Sequence, residues 1–215
     1  MITIRSFTFN PFMENTYVLS DSTKEAVIID PGCYEKHEEE ELSEYIESQG
    51  LKVKLLLNTH GHIDHVLGNA FVKRTYGVPL WIGTNDVSTL KSVETYAPNY
   101  GFQQYQTTQP DRLIDEGDTI SFGTSQLQIV FVPGHAAGHI AFYNIDQLFC
   151  IGGDVLFQGS IGRTDLPGGD FDTLIESIHT KFFPWPDSMV IHTGHGPSTT
   201  IGHEKAHNPY CAISK

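Results

Sequence analysis

The chain has 215 residues, with 26 Asp and Glu against 13 Lys and Arg, a formal charge of −13 at neutral pH. A surface of that sign repels phosphate backbones, and no apolar run reaches the roughly twenty residues of a membrane span, so neither nucleic acid nor a bilayer is an expected partner. Three cysteines without paired spacing, and an N-terminus (Met1-Ile2-Thr3-Ile4-Arg5) without a leader's charged and apolar regions, point to reduced thiols in the cytoplasm.

At this length, with 39% apolar residues, the expectation is a single domain over 1–215. Residues 2–9 and 16–20 are strand-like around a turn at Asn10-Pro11, and Ala26-Val27-Ile28-Ile29 is a third, wholly apolar strand. That strand ends in Asp30-Pro31-Gly32, where Asp30 is either a turn aspartate or a brace for the histidine-rich loop further on. Residues 34–49 read as a helix closed by Gly50, with Leu42, Tyr45 and Ile46 on one face and the run Glu38 to Glu41 on a solvated one. A short buried strand follows at 52–58, then a helix at 66–76 closed by Gly77, then a strand at 78–82. This succession calls for a sheet covered by helices.

Residues 84–112, rich in Thr, Gln, Asn and Tyr with Pro98 and Pro110, read as an irregular connection. Strands return at 119–122, 127–132, 140–144 and 148–151, spaced as in a largely antiparallel second sheet. A helix at 171–183, a strand at 189–191 and a helix at 199–207, stopped by Asn208-Pro209, complete the chain. Strands, a helix, more strands and a closing helix thus occur twice, as expected of two sheets packed face to face with helices outside.

The loop between the strand at 52–58 and the helix at 66–76 is Thr59-His60-Gly61-His62-Ile63-Asp64-His65. Strand-to-helix crevices of this kind are where α/β layers place their chemistry. His60 and His62 are two apart, so extended backbone projects them the same way, while Asp64 and His65 come where the chain turns. Neutral imidazole and carboxylate are the N and O donors a zinc-like ion accepts. No cysteine stands near the loop in sequence, so an open, catalytic, two-metal site is favoured over a closed structural one. Such a site needs further ligands, and three strand ends beside small residues offer them: Pro133-Gly134-His135, Gly152-Gly153-Asp154 and Gly194-His195-Gly196-Pro197.

Together, the His-x-His-x-Asp-His loop and these three later motifs resemble the metallo-β-lactamase superfamily over nearly the whole chain. Within it the chain is most similar to the small glyoxalase II-like hydrolases, through residues 159–165 and 194–204 and the following Asn208-Pro209. The resemblance implies an α+β fold, a four-layer αββα sandwich of two mixed sheets flanked by helices. It implies His60, His62 and His135 on one metal, Asp64, His65 and His195 on a second, and Asp154 bridging them. The implied cofactors are two divalent ions, zinc foremost, with iron or manganese as alternatives. The implied substrate is a small-molecule thioester such as hydroxyacylglutathione, cleaved by a metal-bridging hydroxide that Asp64, besides ligating a metal, can orient.

In full-length glyoxalase II relatives a separate C-terminal helical region contacts glutathione, and no counterpart is expected here. The cation that meets a glutathione carboxylate in those relatives matches Arg163, while the tyrosine shortly after it is replaced by Asp165. Arg163 is therefore either a substrate contact or a structural partner of Asp165 or Asp170. The rival reading is a persulfide dioxygenase, which shares Gly162-Arg163-Thr164-Asp165 and holds one iron on the equivalents of His60, His135 and Asp154. A β-lactamase or lactonase ranks lower, and no motif specifies an oligomer. His37, His139, His179, His192, His203 and His207 match no ligand position, with His139 the best placed to support one.

Overall fold

Antiparallel strands β1 (Thr3–Phe9) and β2 (Glu14–Ser20) begin the first sheet, in a register that sets Thr3 opposite Ser20 and Phe9 opposite Glu14. Strand β3 (Glu25–Ile29) pairs antiparallel with β2, and β4 (Lys52–Leu57), β5 (Leu80–Gly83) and β6 (Arg112–Ile114) then add in parallel. The order across the sheet is therefore the order along the chain, β1 to β6. Residues Ala26 to Ile29 of β3 are wholly buried, as an unbroken apolar run in a covered parallel strand should be. This computed structural model describes residues 1–213 and contains two compact units: Met1–Ile114 with Ser121–Gln126, and Asp115–Ile120 with the chain from Leu127 onward.

In the first unit, helix α1 (Lys36–Ser48) opens with a capping box between Glu35 and Glu38. Glu38 is not on the solvated face expected for its acidic run. It is buried, accepting from the Tyr34 and Glu35 N–H groups through Oε2 and from the Asn10 N–H through Oε1. The helix expected at 66–76 is two, α2 (Ile63–Val66) and α3 (Asn69–Tyr76). The break falls at Gly68, whose N–H donates to Pro31 O, and where a Cβ would lie 2.5 Å from Cys33 Sγ. Residues 84–112 are also more regular than their composition suggests. A 3-10 turn at Thr84–Asp86 leads into helix α4 (Val87–Tyr96), and Ala97–Tyr100 forms a second 3-10 turn. Leu90, Val93 and Ala97 are buried at helical spacing and join Leu42, Leu56, Val72, Leu80 and Ile82 in one core. Full burial of the leucine, isoleucine and valine side chains among these is worth about 1.5–3 kcal/mol each.

The second sheet contains β7 (Thr119–Phe122), β8 (Ser125–Phe131), β9 (Ile140–Asn144), β10 (Phe149–Gly153), β13 (Val190–Thr193) and β14 (Thr199–Thr200), in the order β14-β13-β10-β9-β8-β7. A small separate hairpin, β11 (Leu156–Phe157) with β12 (Ser160–Ile161), was not expected from sequence. Strand β10 runs parallel to β13, whereas β8–β9, β9–β10 and β13–β14 are antiparallel, so this sheet is mixed and largely antiparallel. Helix α5 (Phe171–Ser177) runs into a π-helical turn at Ile178–Phe182. Helix α6 (Ile201–His207) starts later than expected because Thr199 and Thr200 pair with β13 first. The second unit's core includes Val132, Cys150, Leu174, Ile178, Phe182, Met189 and Ile191.

The β7–β8 turn belongs to the first unit, where Asp21 gathers it. The Asp21 carboxylate accepts from the Thr124 N–H at 2.7 Å, the Ser125 hydroxyl at 2.9 Å and the Thr23 N–H at 2.9 Å. Cys33, Cys150 and Cys211 are buried free thiols. Among the described residues no helix is long and apolar enough to cross a membrane.

Candidate metal centre

In the first unit the parallel pairing of β3 with β4 sets Ile29 opposite Leu57, so Asp30 follows one strand end beside Thr59 following the other. Asp30 is the brace that was one of its two sequence readings. Its Oδ1 accepts from the Thr59 N–H at 2.7 Å, and its Oδ2 from the Thr59 hydroxyl at 2.6 Å and from His65 Nδ1 at 3.2 Å. Since that hydroxyl proton goes to Asp30, Thr59 Oγ1 accepts from His60 Nδ1, 3.0 Å away. Both imidazoles are thereby held by Nδ1, which fixes the ring and makes Nε2 the ligand atom. The rings of His60 and His62 are 4.8 Å apart and those of His60 and His65 4.2 Å apart, while His65 Nε2 lies 3.7 Å from Asp64 Oδ2. His60, His62, Asp64 and His65 therefore gather at one place, and His60 and His65 are fully buried.

Several supports of this loop had no part in the sequence reading. The Gly61 N–H donates to the Asp86 carboxylate, whose other oxygen accepts from the Thr89 hydroxyl at 2.9 Å. A Cβ on Gly61 would lie 2.5 Å from Leu90 N, so the start of α4 fits directly against the loop. The side-chain amides of Asn58 and Asn69 pair reciprocally at 2.8 and 3.2 Å, and Asn58 also donates to His65 O. Asn10 donates to Asp64 O at 3.0 Å. Glu14 is wholly buried, with Oε2 accepting from the Thr16 hydroxyl and Oε1 3.8 Å from His65 Nδ1. Burial pushes the Glu14 carboxyl well above the usual range, against the opposing pull of His65. The only advance signal for any of these was Thr84-Asn85-Asp86, a capping sequence ahead of apolar residues at helical spacing.

The second unit gathers His135, Asp154 and His195. His135 Nδ1 donates to Arg163 O at 2.8 Å, again leaving Nε2 as the ligand atom. Asp154 Oδ2 lies 3.5 Å from His135 Nε2 and also 3.5 Å from His195 Nε2. Behind it, the Asp154 N–H donates to His139 Nε2 at 3.1 Å, so His139 supports the carboxylate's own backbone. The Gly194 N–H donates to Gly153 O at 2.8 Å, which fastens the two motif loops together. The Arg163 side chain forms a two-pronged pair with Asp165, at 2.7 and 2.8 Å, whose hydrogen bonds hold the Asp165 carboxyl down at about 2. His179 and His192 are engaged elsewhere, with Cys211 O and the Ser198 hydroxyl.

These donor sets fit a divalent ion. Two ligand atoms about 2.1 Å from a tetrahedral metal are about 3.4 Å apart, close to the 3.5 Å separations around Asp154. All donors are imidazole nitrogens or carboxylate oxygens, three of the imidazoles are oriented through Nδ1, and no thiolate takes part.

Comparison with known proteins points the same way. Residues 9–198 match the family model of the metallo-beta-lactamase superfamily. The chain is 42% identical over 202 residues to hydroxyacylglutathione hydrolase GloC of Haemophilus influenzae, covering 93% of each chain. It is 32% identical over 204 residues to the mitochondrial persulfide dioxygenase ETHE1 of Mus musculus, covering 93% of this chain and 72% of that one. Among solved structures it superposes with TM-score 0.85 on both the BLEG-1 B3 metallo-beta-lactamase and a di-iron-bound form of TTHA1623. The first is 34% identical and covers 98% of this chain and 100% of that one; the second is 33% identical and covers 96% and 99%.

Proposed function

This chain belongs to the metallo-β-lactamase superfamily, and we propose that within it the protein is a thioesterase of the glyoxalase II type, cleaving small S-acyl thioesters such as hydroxyacylglutathione. The observation that carries this reading is the shared oxygen of Asp154, equally distant from the ligand nitrogens of His135 and His195. One carboxylate oxygen serving two histidines is what a bridge between two ions requires. We assign His60, His62 and His135 to one ion, Asp64, His65 and His195 to the other, and Asp154 to both. Zinc is the expected ion, with iron the alternative suggested by the di-iron relative. Bound here, such a pair supplies a hydroxide nucleophile at neutral pH and a Lewis acid for the thioester carbonyl.

The chain's own residues do the rest. Asp30, Thr59 and Arg163 O hold His65, His60 and His135 in the tautomers that direct Nε2 outward. We assign to Asp64, part-exposed and 3.7 Å from His65 Nε2, the orienting of the hydroxide as well as a place among the ligands. A thiolate leaves readily, so the reaction asks for no general acid, and the motifs hold no spare one. The acidic surface favours a small-molecule substrate over nucleic acid.

The test is metal content on protein purified without added metal, with S-D-lactoylglutathione hydrolysis followed on the same sample. About two metals per chain with thiol release, both lost in His62→Ala, is the expected result. The ETHE1 likeness and the shared Gly162-Arg163-Thr164-Asp165 stretch make a persulfide dioxygenase the competing reading. A single iron per chain, no thiol release and oxygen uptake with glutathione persulfide would replace the thioesterase by it.

A further inference from the structure

Glu14 opens β2 deep inside the first unit, where it is wholly buried. One of its oxygens is accounted for: Oε2 accepts from the Thr16 hydroxyl at 2.9 Å, and Thr16 Oγ1 accepts in turn from the Gly32 N–H at 2.8 Å. The other, Oε1, is buried with no hydrogen-bond partner among the described residues, and lies 3.8 Å from His65 Nδ1. The same nitrogen is 3.2 Å from Asp30 Oδ2. Gly32 keeps the space open, because a Cβ there would come within 2.6 Å of Asn10 Nδ2 and 2.7 Å of Asp64 O as well as crowding the Glu14 carboxyl.

A half-satisfied carboxyl in a dry interior is costly, and an apolar side chain of similar size would fill the same volume more cheaply. Local choices that oppose stability in this way concentrate at functional sites. The group that Glu14 faces is one that the proposed function uses. Its neighbour across the gap is Nδ1 of His65, the ring position that decides which tautomer forms and where Nε2 points.

Building on the reading of His65 as a metal ligand, we propose that Glu14 is a positioning residue for it. With Asp30, it brackets His65 Nδ1 and confines the imidazole to the single tautomer and ring rotation that present Nε2 to the ion. Asp30 supplies the direct hydrogen bond at 3.2 Å, and Glu14 Oε1 adds a second carboxyl oxygen 3.8 Å from the same nitrogen, so a rotated or tautomerised ring gives up both.

The experiment compares the native protein with Glu14→Leu and the isosteric Glu14→Gln, all metal-free. Melting temperature, the histidine ¹⁵N spectrum and zinc titration by calorimetry are measured on each. The expected result for Glu14→Leu is a melting temperature at or above native, loss of the single Nδ1–H signature of His65, and a fall of about 10- to 100-fold in affinity for one zinc. Glu14→Gln should show the same spectral change in milder form, and it carries the test alone if the leucine variant does not fold. A lowered melting temperature with the His65 spectrum and zinc affinity unchanged would overturn the proposal and make Glu14 a purely structural group. Zinc stoichiometry of the native protein judges the two-metal reading separately. A native chain that binds one zinc would count against that reading, while the metal-free His65 spectrum would still decide the role of Glu14.

Discussion

The Arg163 guanidinium and the Asp165 carboxylate form their ion pair in the open, 60% and 69% exposed. The hydrogen bonds from Arg163 draw the Asp165 carboxyl from its ordinary 3.8 down to about 2. A depressed carboxylate adds stability that is present above the unfolded value and lost as pH falls through the folded one, so any effect belongs to the window between about 3.8 and 2. Water screens a pair this exposed. Arg163→Ala should therefore return the Asp165 titration toward 3.8 in a carboxyl ¹³C NMR series, with no change in melting temperature at neutral pH. If Arg163 also meets substrate, the same variant raises KM for an anionic thioester while leaving kcat alone, because a remote charge contact binds ground and transition states alike. An unchanged KM would confine Arg163 to its backbone role at His135 Nδ1. That role has no sequence signature, since every residue has a carbonyl. The seven ligand candidates stood out in the sequence because histidine and aspartate at strand ends are chemically conspicuous. Glu14, Asn58, Asn69 and Asp86 were not, because a lone polar residue that fits a buried gap looks the same in sequence as one in solvent.

Gly134 carries the junction between the strand end before His135 and helix α5. It has φ +124°, and a Cβ there would lie 2.6 Å from Leu174 Cβ and closer still to that residue's backbone. Its carbonyl accepts from the Asp170 N–H at 2.8 Å, and Asp170 then caps α5 by accepting from the Thr173 N–H at 2.8 Å. Gly134→Ala should cost about 3 kcal/mol in urea unfolding through strain and overpacking combined, and should weaken metal binding at His135 next door. Gly50→Ala is the control: φ there is +63°, nothing lies within 4 Å, and only about 1 kcal/mol should be lost. An equal cost at both sites would mean that α5 yields easily. Apolar runs made strands such as β3, β4, β9 and β10 readable from sequence, and the helical spacing of Leu42, Tyr45 and Ile46 did the same for α1. Helix α4 was hidden because three of its five exposed positions are Ser88, Ser92 and Thr95, with Pro98 just beyond its end, so its burial pattern lay under a loop-like composition. The break at Gly68 was hidden because its cause, the closeness of Pro31 and Cys33, lies some 35 residues earlier in the chain.

The fold class was the most legible property of the molecule, because four separate motifs agree on it and each follows a strand. The division into two compact units was not, since it depends on which unit the β7–β8 turn joins. All three cysteines are free and buried, and burial pushes the thiols of Cys33 and Cys150 well above their ordinary range. An aromatic disulfide reagent should therefore label none of them in the folded protein within minutes, and all three once urea unfolds it. Fast labelling of the native chain would contradict the burial. Reductant should leave the melting temperature where it is. The grip of Asp21 on Thr124 reaches across 103 positions of sequence, and it has a consequence in time. A ribosome adding about 5–20 residues per second takes roughly 5–20 s to travel that far. Throughout that interval the growing polypeptide has made Asp21 but not the turn that Asp21 will hold. Any stop or cleavage before residue 124 would leave that partnership unmade for good, and until then Asp21 has only its near neighbours, Thr23 among them, to hold.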